Sequence, residues 1–369
     1  MSLVVPFLSE PTNIISSCLI QNQVKNFTLN ANSGNDTFSI QNLRYAESTY
    51  TKPIVIVLPD TKEQLANTVL CSKQASLAIR VRYGGHKLFM IIDVMNLNNV
   101  LVDLESETAL VEGGATLGDT YQAIAKSSHL HGFSAGSCPT VGSGGHISGG
   151  GFEDVFWEVR GSGGGVWGII YTWKVQLVPT RYKKFRSQIK PHLEDDFYLS
   201  FFVGAGLAET RSTGISAIFK GFYLGSTAEA ISTLNREFPK LDIAEDDCKE
   251  MSWIESVNRY LDDKGYFKAK SDYVKEPISM RGIKTALRIL ENYKISSDSI
   301  PFPHRVGNIF AIQYLVAWNS TYNSKNDVYI SWIRNFYNSM TKYVEKGPRT
   351  SCVNVGNNDN NCKKTESNT

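Results

Sequence analysis

The chain has 369 residues, 42% hydrophobic and 20% charged, with 38 Lys and Arg against 36 Asp and Glu. This is a globular composition, and the length gives two domains as the first expectation. A net charge of +2 argues against a dedicated nucleic-acid binder, and no apolar run reaches the length of a membrane span.

The opening run Leu3-Val4-Val5-Pro6-Phe7-Leu8 is apolar but short, has no Lys or Arg before it and is interrupted by Glu10, so it is a poor signal peptide. Ile54 to Leu58 is a continuous apolar run and reads as a buried strand. Asp60 with Glu63 reads as a capping-box helix start, followed by a stripe of Leu65, Val69 and Leu70. Leu77 to Val81 reads as a second strand that ends in Gly84-Gly85-His86. This strand–helix–strand–glycine order is locally α/β, where ligands sit at strand ends. Ile91 to Asp93 and Ala109 to Glu112 read as strands, and Thr116 starts a helix containing Tyr121 and Ile124. Ile169 to Val175 closes this half as a strand. Past Pro179 glycine thins out and aromatics rise; Arg181, Lys183, Lys184, Arg186 and Lys190 read as a solvated face between domains. Ile215 to Leu224 and Ile309 to Trp318 read as strands, and Ala228 to Phe238 as a helix. Val328, Trp332, Phe336, Met340 and Tyr343 recur at helical spacing and read as a core stripe. The tail after Arg349 reads as disordered.

Glycine is concentrated in one region: thirteen of 29 fall between Gly132 and Gly168. Glycine at that density is tolerated where backbone must approach something closely, and exposed amides make nests for phosphate. A large phosphate-bearing cofactor is the first functional expectation. It is not held in a familiar way, because there is no P-loop and Gly142-Ser143-Gly144 lacks the third glycine of the dinucleotide fingerprint. His86 can equally cap loop carbonyls, and Cys138 can be a small buried hydrophobe. Cys138, His86 and His146 match no zinc spacing, and a Cys–His nucleophilic pair has no further support. The other cysteines are Cys18, Cys71, Cys248, Cys352 and Cys362, with no Cys-x-x-Cys among them. A Cys18–Cys71 bridge is compatible with an oxidising compartment, although spacing does not fix connectivity. Sequons at Asn26, Asn35 and Asn319 tilt the reading toward secretion.

Longer motifs go further. Val81-Arg82-x-Gly84-Gly85-His86, Gly114-Ala115-Thr116-Leu117-Gly118, and the run from Cys138-Pro139-Thr140-Val141-Gly142 through Gly144-Gly145-His146-x-Ser148-Gly149-Gly150-Gly151 resemble the plant berberine-bridge-enzyme-like flavoproteins. So do Phe156-Trp157, the run from Arg160 to Gly168, Trp173-Lys174, Phe238-Pro239-x-Leu241, Asp247-Cys248, Ser252-Trp253-Ile254 and Pro301-Phe302-Pro303-His304-Arg305. The resemblance covers most of the chain. It implies an α+β fold: a vanillyl-alcohol-oxidase or PCMH-type FAD-binding domain at 50–179, after an N-terminal segment at 1–49. An antiparallel-sheet substrate domain with helices follows at 180–348, before the tail at 349–369. It implies FAD bonded through His86 and Cys138, and a Cys18–Cys71 disulfide. The cofactor site it implies comprises Arg82, Tyr83, Gly84, Gly85, His86, Thr116, Ser137, Cys138, Val141, Gly142, Gly144, Gly145, His146, Gly149 and Ile170. Its partners are a small-molecule substrate and O2. A secreted or endomembrane monomer is expected.

The same comparison marks departures. Tyr83 stands where the family has Ser, and the chain is shorter than the family pattern after His86, after Phe152, near 185–196 and between 293 and 299. The family's closing segments after Arg349 are not matched. Asn319 follows Trp318 at the position of the family's general base, and an amide takes no proton at neutral pH. Two readings therefore stand: an FAD-dependent oxidase passing hydride from an alcohol, sugar, alkaloid or phenolic substrate to flavin, and a degenerate homologue without turnover. A metal- or carbohydrate-binding module using His86, His146 and Cys138 is the third.

Overall fold

The apolar runs at 54–58 and 90–92 dictate the first layer. The computed structural model describes residues 9–29, 43, 53–82, 90–136, 138–148, 168–180, 197–205, 215–258, 266–274, 277–291, 310–318 and 326–344. The chain divides into two units, Met1–Pro179 with Ile254–Gly265, and Thr180–Trp253 with Tyr266–Thr369. In the first unit, β1 (Phe27–Leu29), β2 (Val55–Val57), β3 (Ile79–Arg82) and β4 (Met90–Asp93) form a sheet in the order β1-β2-β4-β3. β1 is antiparallel to β2, whereas β2 and β3 both run parallel to β4, with Val55 and Ile79 opposite Met90. Every residue of β2 and β4 is buried, which is why β2 and the Met90–Ile92 stretch of β4 are apolar without alternation.

Helices α1 (Ser9–Gln21) and α2 (Lys62–Gln74) pack against each other and close this core. Sequence reading left the first twenty residues unassigned. The structure makes a helix of residues 9–21, because Ile15, Cys18 and Leu19 recur at i, i+3 and i+4 and bury one face. They join Leu65, Cys71, Val55, Val57, Met90 and Ile92 in a single cluster. Cys18 is disulfide-bonded to Cys71, closing a loop of 53 residues in sequence. The α2 cap differs from expectation by one residue. Thr61 Oγ1 accepts from the Gln64 amide at 3.2 Å, and the Asp60 amide donates to Gln64 Oε1 at 2.9 Å. The Asp60 carboxylate instead accepts from Asn96 Nδ2 at 2.8 Å. Leu70 is 64% exposed, so the buried face runs through Leu65, Thr68, Cys71 and Ser72 rather than through Leu70.

A second sheet in the order β5-β6-β8 is antiparallel throughout, formed by β5 (Val100–Asp103), β6 (Thr108–Glu112) and β8 (Thr172–Gln176). Ala109 and Val111 of β6 point inward and Leu110 outward, the period of two that a half-buried strand shows. Strands 90–93 and 108–112 therefore belong to different sheets despite their closeness in sequence. Helix α3 (Leu117–Ser127) follows β6, and the two-residue strands β7 (His131–Gly132) and β9 (Val178–Pro179) pair with each other.

In the second unit, β10 (Phe197–Ala205) pairs along its length with β11 (Ile215–Tyr223), and β12 (Tyr266–Val274) with β13 (Phe310–Trp318), both antiparallel. The helix Asn326–Met340 lays Tyr329, Ile330, Ile333, Phe336 and Met340 against Tyr314, Val316 and Trp318 of β13. The expected stripe is off by one position at its start, since Val328 is 62% exposed and Tyr329 is buried in its place. Sequence reading did not single out β12, because Lys268, Lys270 and Asp272 interrupt its apolar character. All three are buried, with Tyr314 Oη donating to Asp272 Oδ2 at 3.0 Å and Lys270 Nζ 4.7 Å above the Tyr337 ring. Charged groups buried in this way are paired. The basic cluster at 181–190, Asn35 and the tail lie outside the described residues.

Candidate functional site

The N-terminal end of α3 is the frame of the site. Gly114 precedes it because nothing larger fits: a Cβ there would lie 1.8 Å from the Val94 carbonyl oxygen and 2.8 Å from that of Leu97. Thr116 then caps the helix. Its Oγ1 accepts from the Asp119 amide at 3.1 Å, and its own amide donates to Asp119 Oδ2 at 2.9 Å. The first amides of a helix have no partner within it. Here they find partners in the glycine-rich segment, with Leu117 N donating to Val141 O and Gly118 N to Pro139 O, each at 2.9 Å. Thr116 bridges to Gly142, and Ser143 N donates to Ala115 O at 2.8 Å. Gly118 lets the segment come this near, since a Cβ there would meet Pro139 Cβ at 3.0 Å.

Cys138 lies within this fixed stretch and is partly exposed. Val141 N donates to Cys138 O at 3.3 Å, which turns the chain from the thiol back to the frame. Part of the glycine run forms a short helix, α4 (Ser143–Ser148). Its small residues allow it, and His146 N donates to Gly142 O at 3.0 Å. His146 is on α4, and burial depresses the basicity of its imidazole, so it is neutral near pH 7. A Cβ on Gly136 would lie 3.9 Å from His146 Cε1 and 3.7 Å from Leu117 Cδ1, so ring, loop and frame converge there.

Of the residues expected at a cofactor site, Thr116, Cys138, Val141, Gly142, Gly144, Gly145 and His146 are brought together by this frame and α4. Arg82 ends β3 on the four-stranded sheet, buried, with Nε 3.5 Å from Asp93 Oδ2. Asp93 is its register partner on β4 and also accepts from Met95 N. Ile170 precedes Tyr171, whose hydroxyl donates to Glu112 Oε1 and whose carbonyl accepts from Gly113 N. Tyr83, Gly84, Gly85, His86, Ser137, Gly149 and Asn319 lie outside the described residues. Among the described residues no group of three His, Cys, Asp or Glu is placed to hold a metal ion, and no helix is long and apolar enough to cross a membrane.

Sequence reasoning missed Tyr121. It was read only as part of a helix, but its hydroxyl is buried and donates to Gly136 O. The usable signal was a polar tip on an otherwise apolar and small face of Leu117, Gly118, Thr120 and Ile124.

Comparison with known proteins places this geometry. The FAD binding domain family matches residues 53–154, the stretch that contains α2, the parallel strands, α3 and the Cys138 segment. Berberine bridge enzyme-like D-2 of Nicotiana tabacum is 44% identical over 96% of this chain and 82% of its own. The reticuline oxidase of Eschscholzia californica is 38% identical over 93% of this chain and 81% of its own. The chain belongs to the berberine bridge enzyme-like family. The solved structure of berberine bridge enzyme from Eschscholzia californica superposes with a TM-score of 0.78 at 35% identity, covering 92% of this chain and 87% of that one. BBE-like #28 from Arabidopsis thaliana gives 0.76 at 27% identity, covering 93% and 88%. The berberine bridge enzyme-like proteins are FAD-dependent oxidoreductases, and this chain carries their FAD-binding domain within an α+β fold. The alignment with the D-2 protein runs over 463 residues, more than the 369 of this chain. Internal segments of that relative therefore have no counterpart here.

Proposed function

We propose that this chain is an FAD-dependent oxidase that holds its flavin through two covalent bonds, one from His86 and one from Cys138. The observation that carries the reading is a partly exposed cysteine on a segment hydrogen-bonded to the start of α3 at Pro139, Val141 and Ser143. The donor set fits the cofactor: a partly exposed cysteine, an imidazole at His146 whose basicity burial lowers, and glycines at 142, 144 and 145 that carry no side chain to block a close approach. Flavin supplies a hydride acceptor that O2 can reoxidise. The chain's part is to hold, orient and shield. Cys138 and His86 would fix one edge of the ring system, and Thr116 and the glycines would keep backbone amides near it. Arg82, buried against Asp93, brings a positive charge to the end of a parallel strand, where ligands of such sheets sit. Tyr83, Gly84, Gly85, Ser137, Gly149 and Ile170 complete the expected lining.

The substrate is a small molecule, an alcohol, sugar, alkaloid or phenol. Asn319 would meet it by hydrogen bonding, since its amide cannot act as a base at neutral pH. The protein would be a secreted or endomembrane monomer. The Cys18–Cys71 bridge suits an oxidising compartment, and Asn26 of the first sequon is exposed.

The test is acid precipitation of the secreted chain, followed by flavin fluorescence of the washed band. Fluorescence should survive in wild type, His86→Ala and Cys138→Ala, and vanish in the double variant. A dark band from soluble, folded wild type would overturn the assignment. One observation favours a second reading, a homologue without turnover: internal segments of the relatives are missing from this chain. Peroxide formation with any substrate of a panel of sugars, monolignols, alkaloids and phenolic terpenoids would dismiss it.

A further inference from the structure

The segment that carries Cys138 is anchored at both ends. Upstream, Gly132 pairs with Val178 across β7 and β9, and Phe133 is buried. Downstream, Pro139 and Val141 are hydrogen-bonded to the first turn of α3, and Ser143 to Ala115 just before it. Between the anchors, residues 134–136 have no regular structure. There the carbonyl of Gly136 accepts a hydrogen bond from the phenol of Tyr121.

We infer that Tyr121 is a positioning residue for Cys138: its buried hydroxyl, donating to Gly136 O, latches the lead-in to the thiol and fixes the direction in which the sulfur points. Three observations support the assignment. Tyr121 is 1% exposed, so water has little access to replace the bond. Its ring belongs to the same helix face as Leu117, Gly118 and Thr120. Leu117 and Gly118 bond the far side of the Cys138 turn, and Thr120 Oγ1 lies 3.3 Å from Ser143 Oγ. One rigid helix therefore grips the segment on both sides of the sulfur. The phenol and the thiol are also close enough to sense each other. Burial, and secondarily the charge of an ionised Cys138, push the Tyr121 ionisation well above its usual range. The latch thus stays a donor throughout the neutral and mildly alkaline pH in which a thiol is activated.

This inference deepens the flavin reading, because the direction of the sulfur decides whether Cys138 can meet a cofactor. Its test is nevertheless independent of flavin. Full-length wild type, Tyr121→Phe and Ile124→Val are produced in a riboflavin-limited secretory host and treated with iodoacetamide. The rate at which the unmodified Cys138 thiol is lost is followed by peptide mass spectrometry. Losing one buried hydrogen bond should open the segment about tenfold more often and speed alkylation by about that factor. Ile124→Val trims the buried face of the same helix and leaves the hydroxyl in place, so it should change the rate less than about twofold. Tyr121→Leu supplies a second variant without the hydroxyl if the phenylalanine variant does not fold, and must show the same acceleration. Equal rates in wild type and the hydroxyl-free variants, or equal acceleration in Ile124→Val, would overturn the latch. A second readout links it to the cofactor. With His86→Ala in the background and riboflavin supplied, Tyr121→Phe should lower the fluorescence retained through Cys138. If wild type never retains flavin but alkylation responds as stated, the flavin reading fails and the latch stands.

Discussion

Replacing Gly114 by alanine tests whether the frame is as tightly set as its contacts imply. The new Cβ would lie 1.8 Å from the Val94 carbonyl oxygen, 2.6 Å from its carbon and 2.8 Å from the Leu97 oxygen, all of them backbone. Roughly 1 Å of main-chain movement is needed, and overpacking of that kind costs about 1–3 kcal/mol. The chain cannot yield easily, because Gly114 N is bonded to Leu97 O at 2.8 Å and Gly113 N to Tyr171 O at 2.8 Å. Losing the first of these adds about 1 kcal/mol. Against this, alanine restricts the unfolded chain and returns about 0.4–1 kcal/mol. The net loss is about 2 kcal/mol, which for a unit of this size lowers the melting temperature by roughly 4–8 °C. Differential scanning fluorimetry of Gly114→Ala beside Gly221→Ala is the assay. At Gly221 the added Cβ meets the flexible end of Leu199 at 3.0 Å and the Tyr198 carbonyl oxygen at an ordinary 3.7 Å, and should cost little. Equal melting temperatures for the two variants would refute the steric argument.

Three further outcomes follow from the same contacts. Cys18→Ser with Cys71→Ser opens a loop of 53 residues and should cost about 4 kcal/mol by chain entropy, read as a shift in urea midpoint; an unchanged midpoint would show that the bridge constrains nothing. Ile333 is fully buried and Val328 is 62% exposed, so Ile333→Ala should cost about 2–5 kcal/mol and Val328→Ala almost nothing; a reversed order would mean the helix register is wrong. Burial holds the His146 imidazole below its ordinary 6.5, so the unfolded chain binds more protons there than the folded one as pH falls from that value. Stability should therefore be fully present above about pH 6.5 and decline as pH drops through the lowered folded value. His146→Gln should flatten that decline in urea titrations, and a parallel curve for the variant would remove His146 as its source.

Where one physical rule governed a segment, the sequence could be read. β2 and the Met90–Ile92 stretch of β4 were visible because strands buried on both faces run apolar without alternation. The Thr116 start of α3 was visible because a capping residue precedes an apolar stripe. Errors came where two rules competed. At Asp60 and Thr61 either side chain can cap, and a bond from Asn96 took the Asp60 carboxylate. Val328 and Tyr329 are both apolar enough for a core, and packing against Trp318 chose the tyrosine, whose ring lies 5.1 Å from the indole. β12 was hidden because its polarity is compensated by partners from other elements, Tyr314 and Tyr337. At the site, the glycine motif pointed to Cys138 and His146. Tyr121 could not be found from spacing, because the bond that gives it meaning closes a turn of fifteen residues.

The mutual capping of α3 and the Cys138 segment has a consequence for how this region opens. The amides of Leu117 and Gly118 are shielded only while Pro139 and Val141 are in place, and that of Ser143 only while Ala115 is. Neither side can fray without stripping the other, so helix start and thiol segment form one cooperative opening unit. In native-state hydrogen exchange these three amides should become labelled together, with one opening free energy and one dependence on denaturant. Any ligand that grips the segment should slow all three alike, including two amides on a helix it need not touch.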